Sequence, residues 1–342
     1  MQSTLFHIPT HVGFGGMSLP LFGVGLLLAA WAVCGGGGFA WAAARHGVRQ
    51  AATALALPLL VMGAMILWVI PALDDGAGIP IRGYGVMLLA AAAAATWLSI
   101  VRGRAAGFDA DTLLALGTDI FLWGLVGARL FYVLEYHEQF FRPGMSLAES
   151  LAAIVNIAAG GLVVFGSLPT AAVAAWRFAA RRGLPLAKLA DCIAPGLLLG
   201  LAIGRIGCFL NGCCYGGLCD LPWAVQFPAG SPPAEHYPGP LGGSLPIHPA
   251  QLYAAFDAAL LALLAVLYTP LARRDGEVFA LVLTLHPISR ILLEMIRVDE
   301  PPALGTPLSI SQLVSLGLLS LAAVLWWWLS RQPVRPRPTV GL

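Results

Sequence analysis

The chain has 342 residues, of which 58% are hydrophobic and only 11% are charged, and its mean hydropathy is +0.82. Because soluble domains carry about 25% charged residues, this composition excludes a soluble enzyme and indicates an integral membrane protein. The net charge of +2 predicts no nucleic-acid partner, and six cysteines in a chain of this length do not form a disulfide scaffold.

Apolar runs long enough to cross a bilayer follow one another along the chain. A membrane-spanning helix needs roughly 20 apolar residues, and the runs lack the weak alternation of barrel strands. We therefore predict an all-α polytopic membrane protein with about nine transmembrane helices. The predicted helices lie near 19–43, 52–72, 84–101, 111–135, 161–180, 189–206, 249–269, 276–296 and 308–330.

Arginine and lysine residues fall mainly in alternate loops of this arrangement. By the positive-inside rule those loops face the cytoplasm. The N-terminus is then expected outside the cell membrane and the C-terminus in the cytoplasm, as an odd number of spans requires. The basic residues on the predicted cytoplasmic side are Arg45, Arg49, Arg102, Arg104, Arg177, Arg181, Arg182, Lys188, Arg273, Arg274, Arg331, Arg335 and Arg337.

A short internal repeat suggests how the chain is divided. Pro20-Leu-Phe-Gly23 and Pro80-Ile-Arg-Gly83 each open an apolar run. A segment rich in Gly, Pro and Cys over 207–248 is expected to form a small head on the outer face, where function is then expected. The predicted parts are an extra N-terminal pair of spans over 1–79, a membrane core over 80–330 and a cytoplasmic tail over 331–342.

Four arginines lie inside or at the ends of predicted spans, namely Arg82, Arg129, Arg205 and Arg290. A charged side chain at the centre of a span costs about 2.5–3.5 kcal/mol on insertion scales, so each one needs an explanation. A surplus of buried guanidinium favours an anion, and the abundant anion of a membrane is a lipid phosphate, which arginine binds in bidentate fashion. The alternative is that some of them reach the interface or pair with Glu135 and Glu294.

Polar motifs stand at the predicted outer ends of several spans. Glycines over 204–216 favour a helix that breaks at membrane depth and presents free N–H groups beside Arg205. His248, Gln251 and Tyr253 offer three polar groups within two turns of a helix start. A capping and interface role is the alternative for this second motif.

A third motif places a charged triplet on one face of the eighth predicted span. Arg290, Glu294 and Arg297 follow at i, i+4 and i+7, so their side chains are neighbours on the helix surface. They could hold an anionic substrate at the outer end of the span. The alternative is a ladder of salt bridges that closes this end.

Together and in this order, the motifs resemble those of the prolipoprotein diacylglyceryl transferase family. The resemblance covers residues 80 to about 330, and it implies a seven-span core with a periplasmic head in the cytoplasmic (inner) membrane of a bacterium. The matching segments are Arg82-Gly83-Tyr84-Gly85, Gly127 to Tyr132, Gly160-Gly161-Leu162, Asp191 to Pro195, Gly204 to Gly207 with Asn211-Gly212, His248 to Tyr253, and Arg290 to Arg297.

The resemblance implies an activity and the residues that carry it. The family transfers the diacylglyceryl group of phosphatidylglycerol to the cysteine thiol of prolipoprotein signal sequences, and glycerol 1-phosphate departs. Its partners are therefore phosphatidylglycerol, signal sequences and the lipid bilayer, with no cofactor and no metal. Arg205 is expected to contact the phospholipid, and Arg290 to be essential. Further substrate-binding candidates are Arg82, Tyr84, Asn211, Gly216, Gln251, Tyr253, Glu294 and Arg297.

The sequence also departs from the family pattern. Phe165 stands where the family often has a histidine proposed as a base, and Cys208 stands where it has asparagine. His286 and His248 are therefore the candidates for a catalytic base. Alternatively the acceptor thiol needs none, since a cysteine pKa of about 8.5 leaves a few per cent thiolate near neutral pH. A divergent or inactive member of the family is a further alternative.

Four cysteines crowd the predicted outer boundary, namely Cys208, Cys213, Cys214 and Cys219. One structural disulfide is favoured in an oxidising compartment. Free thiols come next, and a metal site last, because adjacent cysteines are poor ligand spacing.

Two other functions compete with transfer. Buried charges also suit a secondary transporter of an anionic solute, and the cysteines suit a thiol oxidoreductase, although no Cys-x-x-Cys is present.

Overall fold

The computed structural model describes residues 4–14, 17–142, 144–156, 160–303 and 305–334 of the chain. It divides into two compact units, Met1–Val86 and Met87–Leu342, which are taken in turn. Most of the described residues are helical. The polytopic helical class predicted from the sequence is confirmed at this level.

The first unit combines short strands with two helices. Strand β1 pairs antiparallel with β4, and β2 pairs antiparallel with β3. The expectation of a purely helical chain is wrong here, because the residues before the first helix form strands. The elements are β1 (Thr4–Ile8), β2 (His11–Phe14), β3 (Met17–Pro20), α1 (Leu26–His46), α2 (Val48–Ala64) and β4 (Ile79–Arg82).

Helix α1 begins later than the predicted 19, at Leu26. Pro20 ends β3, and Gly23 adopts a left-handed φ of +66° that favours glycine. Gly25 precedes the helix, and a Cβ there would collide with the Pro20 carbonyl, so the turn requires glycine. The apolar residues before Leu26 are thus used in a strand and a tight turn.

The second unit is a bundle of helices. Helix α4 packs along α7, α8 along α10, and α11 lies between α10 and α12. Short helices α5 and α6 fill the segment between α4 and α7, and α9 lies in the head. The elements from the unit boundary onward are α3 (Gly83–Ala105), α4 (Ala110–Glu135), α5 (His137–Phe140), α6 (Leu147–Val155), α7 (Val164–Arg182), α8 (Leu186–Asn211), α9 (Pro232–His236), α10 (Ala250–Tyr268), α11 (Glu277–Glu294) and α12 (Ile310–Ser330).

Seven helical segments in the described part of the chain are long and apolar enough to cross a membrane. They are Leu26–His46, Val48–Leu73, Gly83–Ala105, Ala110–Glu135, Leu186–Asn211, Ala250–Leu271 and Ile310–Ser330. Two further helices at predicted spans, α7 and α11, have 19 and 18 residues but carry several charged side chains. The chain is therefore a multi-pass membrane protein, and a total of nine spans stays a prediction.

Close packing of α4 against α7 depends on two glycines. A Cβ at Gly166 would collide with the Gly127 carbonyl and the Phe131 side chain, and a Cβ at Gly127 would meet Thr170 and the Gly166 carbonyl. Small residues allow membrane helices to approach in this way. These contacts hold α7 against the helix that carries Arg129.

We expect Gly166→Ala to destabilise the folded protein by about 1–3 kcal/mol, since overpacking forces the two backbones apart. The measurement is thermal unfolding of the purified protein in detergent. Gly117→Ala on α4 is the matched control, because a Cβ there meets no atom within 4 Å. Equal unfolding midpoints for the two variants would contradict the close approach.

Helix α8 runs without a break to Asn211, and Gly212 ends it with a left-handed φ of +75°. The predicted break beside Arg205 is therefore wrong: Arg205 lies within the helix, where its own backbone N–H is used. Gly196, earlier in α8, serves packing, since a Cβ there would collide with the Ser99 side chain and the Ala95 carbonyl of α3.

The segment between α8 and α10 folds around its own small core. Tyr215, Phe227 and Ile247 are buried together. Backbone hydrogen bonds tie Gly216 to the His248 carbonyl and Gly217 to the Ile296 carbonyl, at 3.1 and 3.0 Å. The head is thus attached to the ends of both α10 and α11.

Candidate functional site

Charged residues concentrate where α11 ends. A guanidinium nitrogen of Arg290 lies 2.5 Å from a Glu294 carboxylate oxygen and another lies 3.6 Å from Glu300. Arg297 contacts Glu294 at 3.3 Å and Asp299 at 3.0 Å. Glu294 is 3% exposed at its side chain, so these pairs are largely withdrawn from water.

The network balances the charges of Arg290 and Arg297. Arg290 also donates to the Ser311 hydroxyl at 2.8 Å, which links α11 to the first turn of α12. The expectation of surplus guanidinium is wrong for Arg290, because the carboxylates of Glu294 and Glu300 lie beside it. Burial lowers the pKa of Arg297, but the hydrogen bond and the charge of Asp299 raise it by more. The net shift is upward, so this arginine stays charged.

Arg129 also has internal partners. It is 9% exposed and donates five hydrogen bonds of 2.7–3.1 Å to backbone carbonyls. Its guanidinium lies near the rings of Tyr132 and Phe140. These contacts account for the buried charge of Arg129 without a lipid phosphate or a glutamate. They join α4 to the end of α6 and to the residues that precede α7. The acceptors belong to Ala153, Ile154, Asn156, Gly160 and Gly161.

Arg205 differs from these three arginines. Its side chain is half-buried, and within the described residues it makes no hydrogen bond or ion pair. Its charge acts on His286, Arg290 and Cys214, so it belongs to the cluster at the ends of α8 and α11. An unpaired guanidinium in this position can bind an anion.

Arg82 and Tyr84 lie in the first unit. Arg82 ends β4, opposite Thr4 of β1, and is exposed. Tyr84 lies in the first turn of α3 and is 41% exposed. Both side chains are therefore accessible to a ligand, as their predicted role requires.

His286 stands among polar groups inside the bundle. The charges of Asp257, Arg205 and Arg290 all act on it, and its Nδ1 is buried without a hydrogen-bond partner. The Ser289 hydroxyl donates to Asp257 at 2.7 Å. A half-buried imidazole with a free ring nitrogen can exchange a proton with a substrate placed beside it.

His248 and its neighbours have structural partners. The Tyr253 hydroxyl lies 3.3 Å from His248 Nδ1 and accepts from Trp223 Nε1 at 2.8 Å. Gln251 is 1% exposed, and its Nε2 donates to the Cys213 carbonyl at 2.7 Å. These contacts orient the start of α10 against the loop that follows α8.

Two further predicted residues frame the same loop. Asn211 is the exposed last residue of α8. Gly216 lies against His248 and Ile296 so closely that a Cβ would collide with the His248 side chain. Gly216 therefore allows the head to approach the ends of both helices.

A cavity of about 710 Å³ opens beside the charged network. Its wall combines apolar side chains of α4 and α7, including Phe131 and Phe165, with the carboxylates of Glu135 and Glu300. Because Glu300 also contacts Arg290, the apolar space reaches the polar cluster. The arrangement suits an amphipathic ligand.

Several site residues were missed by the sequence analysis. Asp299 and Glu300 follow Arg297 by two and three residues, and an acidic pair beside two arginines was the available signal. Asp257 is a charged residue inside a predicted span, which alone should have singled it out. Nothing in the sequence pointed to Ser311.

All six cysteines are free thiols, so the disulfide favoured from the sequence is absent. The Sγ atoms of Cys208, Cys213 and Cys214 nevertheless lie within 4.8 Å of one another. Cys219 is buried apart from them in the head. The adjacent positions of Cys213 and Cys214 therefore do not exclude a metal site, because the turn at Gly212 places both thiols near that of Cys208 at the end of α8.

The chain is similar to several proteins that share one name. A relative from Rhodopirellula baltica is 41% identical over 68% of the chain and is named phosphatidylglycerol–prolipoprotein diacylglyceryl transferase; the match spans 48% of that protein. Proteins of the same name from Clostridium tetani and Gloeobacter violaceus are 29% and 32% identical, and the matches span 92% of each. The chain thus spans about half the length of the first relative and nearly all of the other two.

The family comparison covers the same part of the chain as the site. Residues 72–328 match the family described as prolipoprotein diacylglyceryl transferase. This range includes α3 to α11, most of α12, the charged network and the head. With most of its length matched, the chain belongs to the prolipoprotein diacylglyceryl transferase family.

Proposed function

We propose that the chain transfers the diacylglyceryl group of phosphatidylglycerol to the lipobox cysteine thiol of prolipoproteins, the first step of bacterial lipoprotein maturation. The observation that carries this proposal is Arg205, an unpaired guanidinium beside a network in which Arg290 and Arg297 are already neutralised. A lipid phosphate would supply the anion that Arg205 lacks. The relatives' names and the family support the same substrates.

The reaction breaks one carbon–oxygen bond and forms one carbon–sulfur bond. The thiol gives up its proton, its sulfur attacks the glyceryl carbon, and the phosphate oxygen leaves with the bonding electrons as glycerol phosphate. Arg205 would bind this phosphate and stabilise the negative charge that develops on it. Arg290 and Glu294 would hold the end of α11 in place beside it.

The cavity beside Glu300 is the proposed site for the lipid's apolar portion. Its wall is formed by the end of α4, the start of α7 and residues 300–303, and it includes the Glu300 carboxylate that contacts Arg290. Acyl chains in this space would place the glycerol and phosphate near the polar cluster. Phe165 would pack against a chain rather than accept a proton.

The proposed membrane arrangement has nine spans, with α7 and α11 added to the seven apolar segments. Both are included because they pack lengthwise against spans, α7 against α4 and α11 against α10 and α12. The N-terminus and the head over 207–248 then lie in the periplasm, and the C-terminus in the cytoplasm. The extra pair over 1–79, the core over 80–330 and the tail over 331–342 stay a proposed division; residues 335–342 lie outside the described part.

We expect a reporter fused after Leu342 to read cytoplasmic and one inserted at Gly230 to read periplasmic. Gly230 is an exposed turn residue with a φ of +73°, so an insertion there should disturb little. Paired alkaline phosphatase and fluorescent-protein fusions provide the measurement. A periplasmic C-terminus would overturn the count of nine.

The activity is tested by incubating the purified protein with phosphatidylglycerol vesicles and a lipobox peptide. Mass spectrometry should find the peptide heavier by one diacylglyceryl group, and glycerol phosphate should accumulate in equal amount. A peptide with serine in place of the lipobox cysteine should stay unmodified. Unmodified cysteine peptide, with a well-folded protein, would show an inactive family member.

A further inference from the structure

Three cysteine side chains meet where α8 ends. Cys208 lies in the last turn of the helix, while Cys213 and Cys214 follow Gly212 directly. All three are half-buried free thiols, and their Sγ atoms lie within 4.8 Å of one another. No step of the proposed transfer uses them.

The backbone at this point is unusual. Cys214 has a φ of +60° and is the one residue other than glycine with a positive φ among those the structure describes. For a residue with a Cβ, this left-handed conformation costs roughly 1–2 kcal/mol. Here the conformation leaves the Cys214 thiol within reach of the other two.

Two arginines and a glutamine accompany this cluster. The guanidinium charges of Arg297 and Arg205 act on the Cys214 sulfur. Thiolate is the form of cysteine that binds metals. In addition, Oε1 of Gln251 is buried without a hydrogen-bond partner, while its Nε2 donates to the Cys213 carbonyl.

We propose that Cys208, Cys213 and Cys214 bind one zinc ion as three thiolates. With zinc–sulfur bonds of about 2.3 Å, the sulfurs of a tetrahedral site lie about 3.8 Å apart, so a contraction of roughly 1 Å closes the cluster. Each thiol releases its proton to solvent and donates an electron pair to Zn²⁺, and nothing is oxidised or reduced. The site then carries one net negative charge, near the charges of Arg205 and Arg297.

The fourth zinc position would be left to water. The free Oε1 of Gln251, whose amide is attached to the Cys213 backbone, is available to accept a hydrogen bond there. The ion would join the end of α8 to the loop that carries Gly216. Because Cys208 follows Arg205 by three residues on the same helix face, zinc would fix the turn beside that arginine.

The test uses the full-length protein, reduced in detergent, stripped with a chelator and then incubated with zinc sulfate. We expect about one bound zinc per chain by elemental mass spectrometry, lost in Cys208→Ser and Cys214→Gly. Cobalt in place of zinc should give a sulfur-to-metal absorption band in the wild type alone among these three proteins. Cys34→Ser and Cys219→Ser are the matched controls and should keep the ion.

Cys214→Gly removes a proposed ligand without straining the backbone, since glycine readily adopts a φ of +60°. Loss of zinc in this variant would therefore reflect loss of the ligand and not loss of the fold. Zinc should raise the unfolding temperature of the wild type and leave that of Cys214→Gly unchanged. The proposal is wrong if the reduced wild type takes up no zinc, or if Cys214→Gly binds as much as the wild type. It is equally wrong if the protein as isolated contains a disulfide among these three cysteines.

Discussion

Arg205→Ala should abolish diacylglyceryl transfer, with turnover falling by at least about 100-fold. The guanidinium lies half-buried in the last turns of α8, without an ion pair among the described residues, whereas Arg290 and Arg297 are held by carboxylates. Removing Arg205 takes away the charge available for a phosphate. The bonds within the charged network of α11 are left intact, so the fold should persist.

Arg205→Lys should restore little of this activity. Lysine keeps the positive charge but cannot make the two parallel hydrogen bonds that a guanidinium gives to a phosphate. Turnover of each variant is measured with the lipobox peptide at equal protein concentration. Arg104→Ala, at the exposed end of α3, is the control and should transfer at the normal rate. Near-normal turnover by Arg205→Lys would rule out bidentate binding.

The positions of the membrane helices could be predicted from the sequence because they depend mainly on one quantity, the hydropathy of the chain. A run of apolar residues between polar breaks must be buried in lipid, and α3, α4 and α10 start within a residue of their predicted positions. The ends were less well predicted. Helix α8 runs five residues past 206, since nothing in a glycine-rich sequence distinguishes a tight contact from a break.

The strands of the first unit could not be predicted in the same way. Strand β1 pairs with β4, although about 70 residues separate them in the sequence. Each is only four or five residues long and lies outside the predicted spans, whereas β3 overlaps the start of the first predicted span at residues 19 and 20. Hydropathy alone therefore assigned the residues before Leu26 to a span.

The residues of the polar site could be predicted from the sequence only in part. The sequence singled out Arg205 and Arg290, because a charged residue in a span is costly wherever it lies, and it singled out His286 only as a candidate base. It could not tell which arginine has partners. That depends on Glu300, which contacts Arg290, and on Asp299, which contacts Arg297, and both residues follow the end of α11.

His286→Phe should lower turnover at neutral pH by at least about tenfold, in the range expected for loss of a general base. The buried Nδ1 of His286 has no hydrogen-bond partner, and leaving such a group unpaired costs about 1–3 kcal/mol. A substrate thiol would supply the missing partner. The charges of Arg205 and Arg290 reach the same ring, which places it beside the proposed phosphate site.

The pH profile separates a base from a structural histidine. Above the thiol pKa of about 8.5 the acceptor ionises unaided, so the deficit of His286→Phe should shrink as pH rises. His286→Gln keeps a hydrogen-bonding group but cannot take a proton at these pH values, and it should show the same deficit as phenylalanine. His248→Phe is measured beside it as the second candidate base, and His46→Phe, exposed on α1, as the control. If the His286 and His248 variants both keep the wild-type rate at neutral pH, no histidine acts as the base, and the thiolate must form without one.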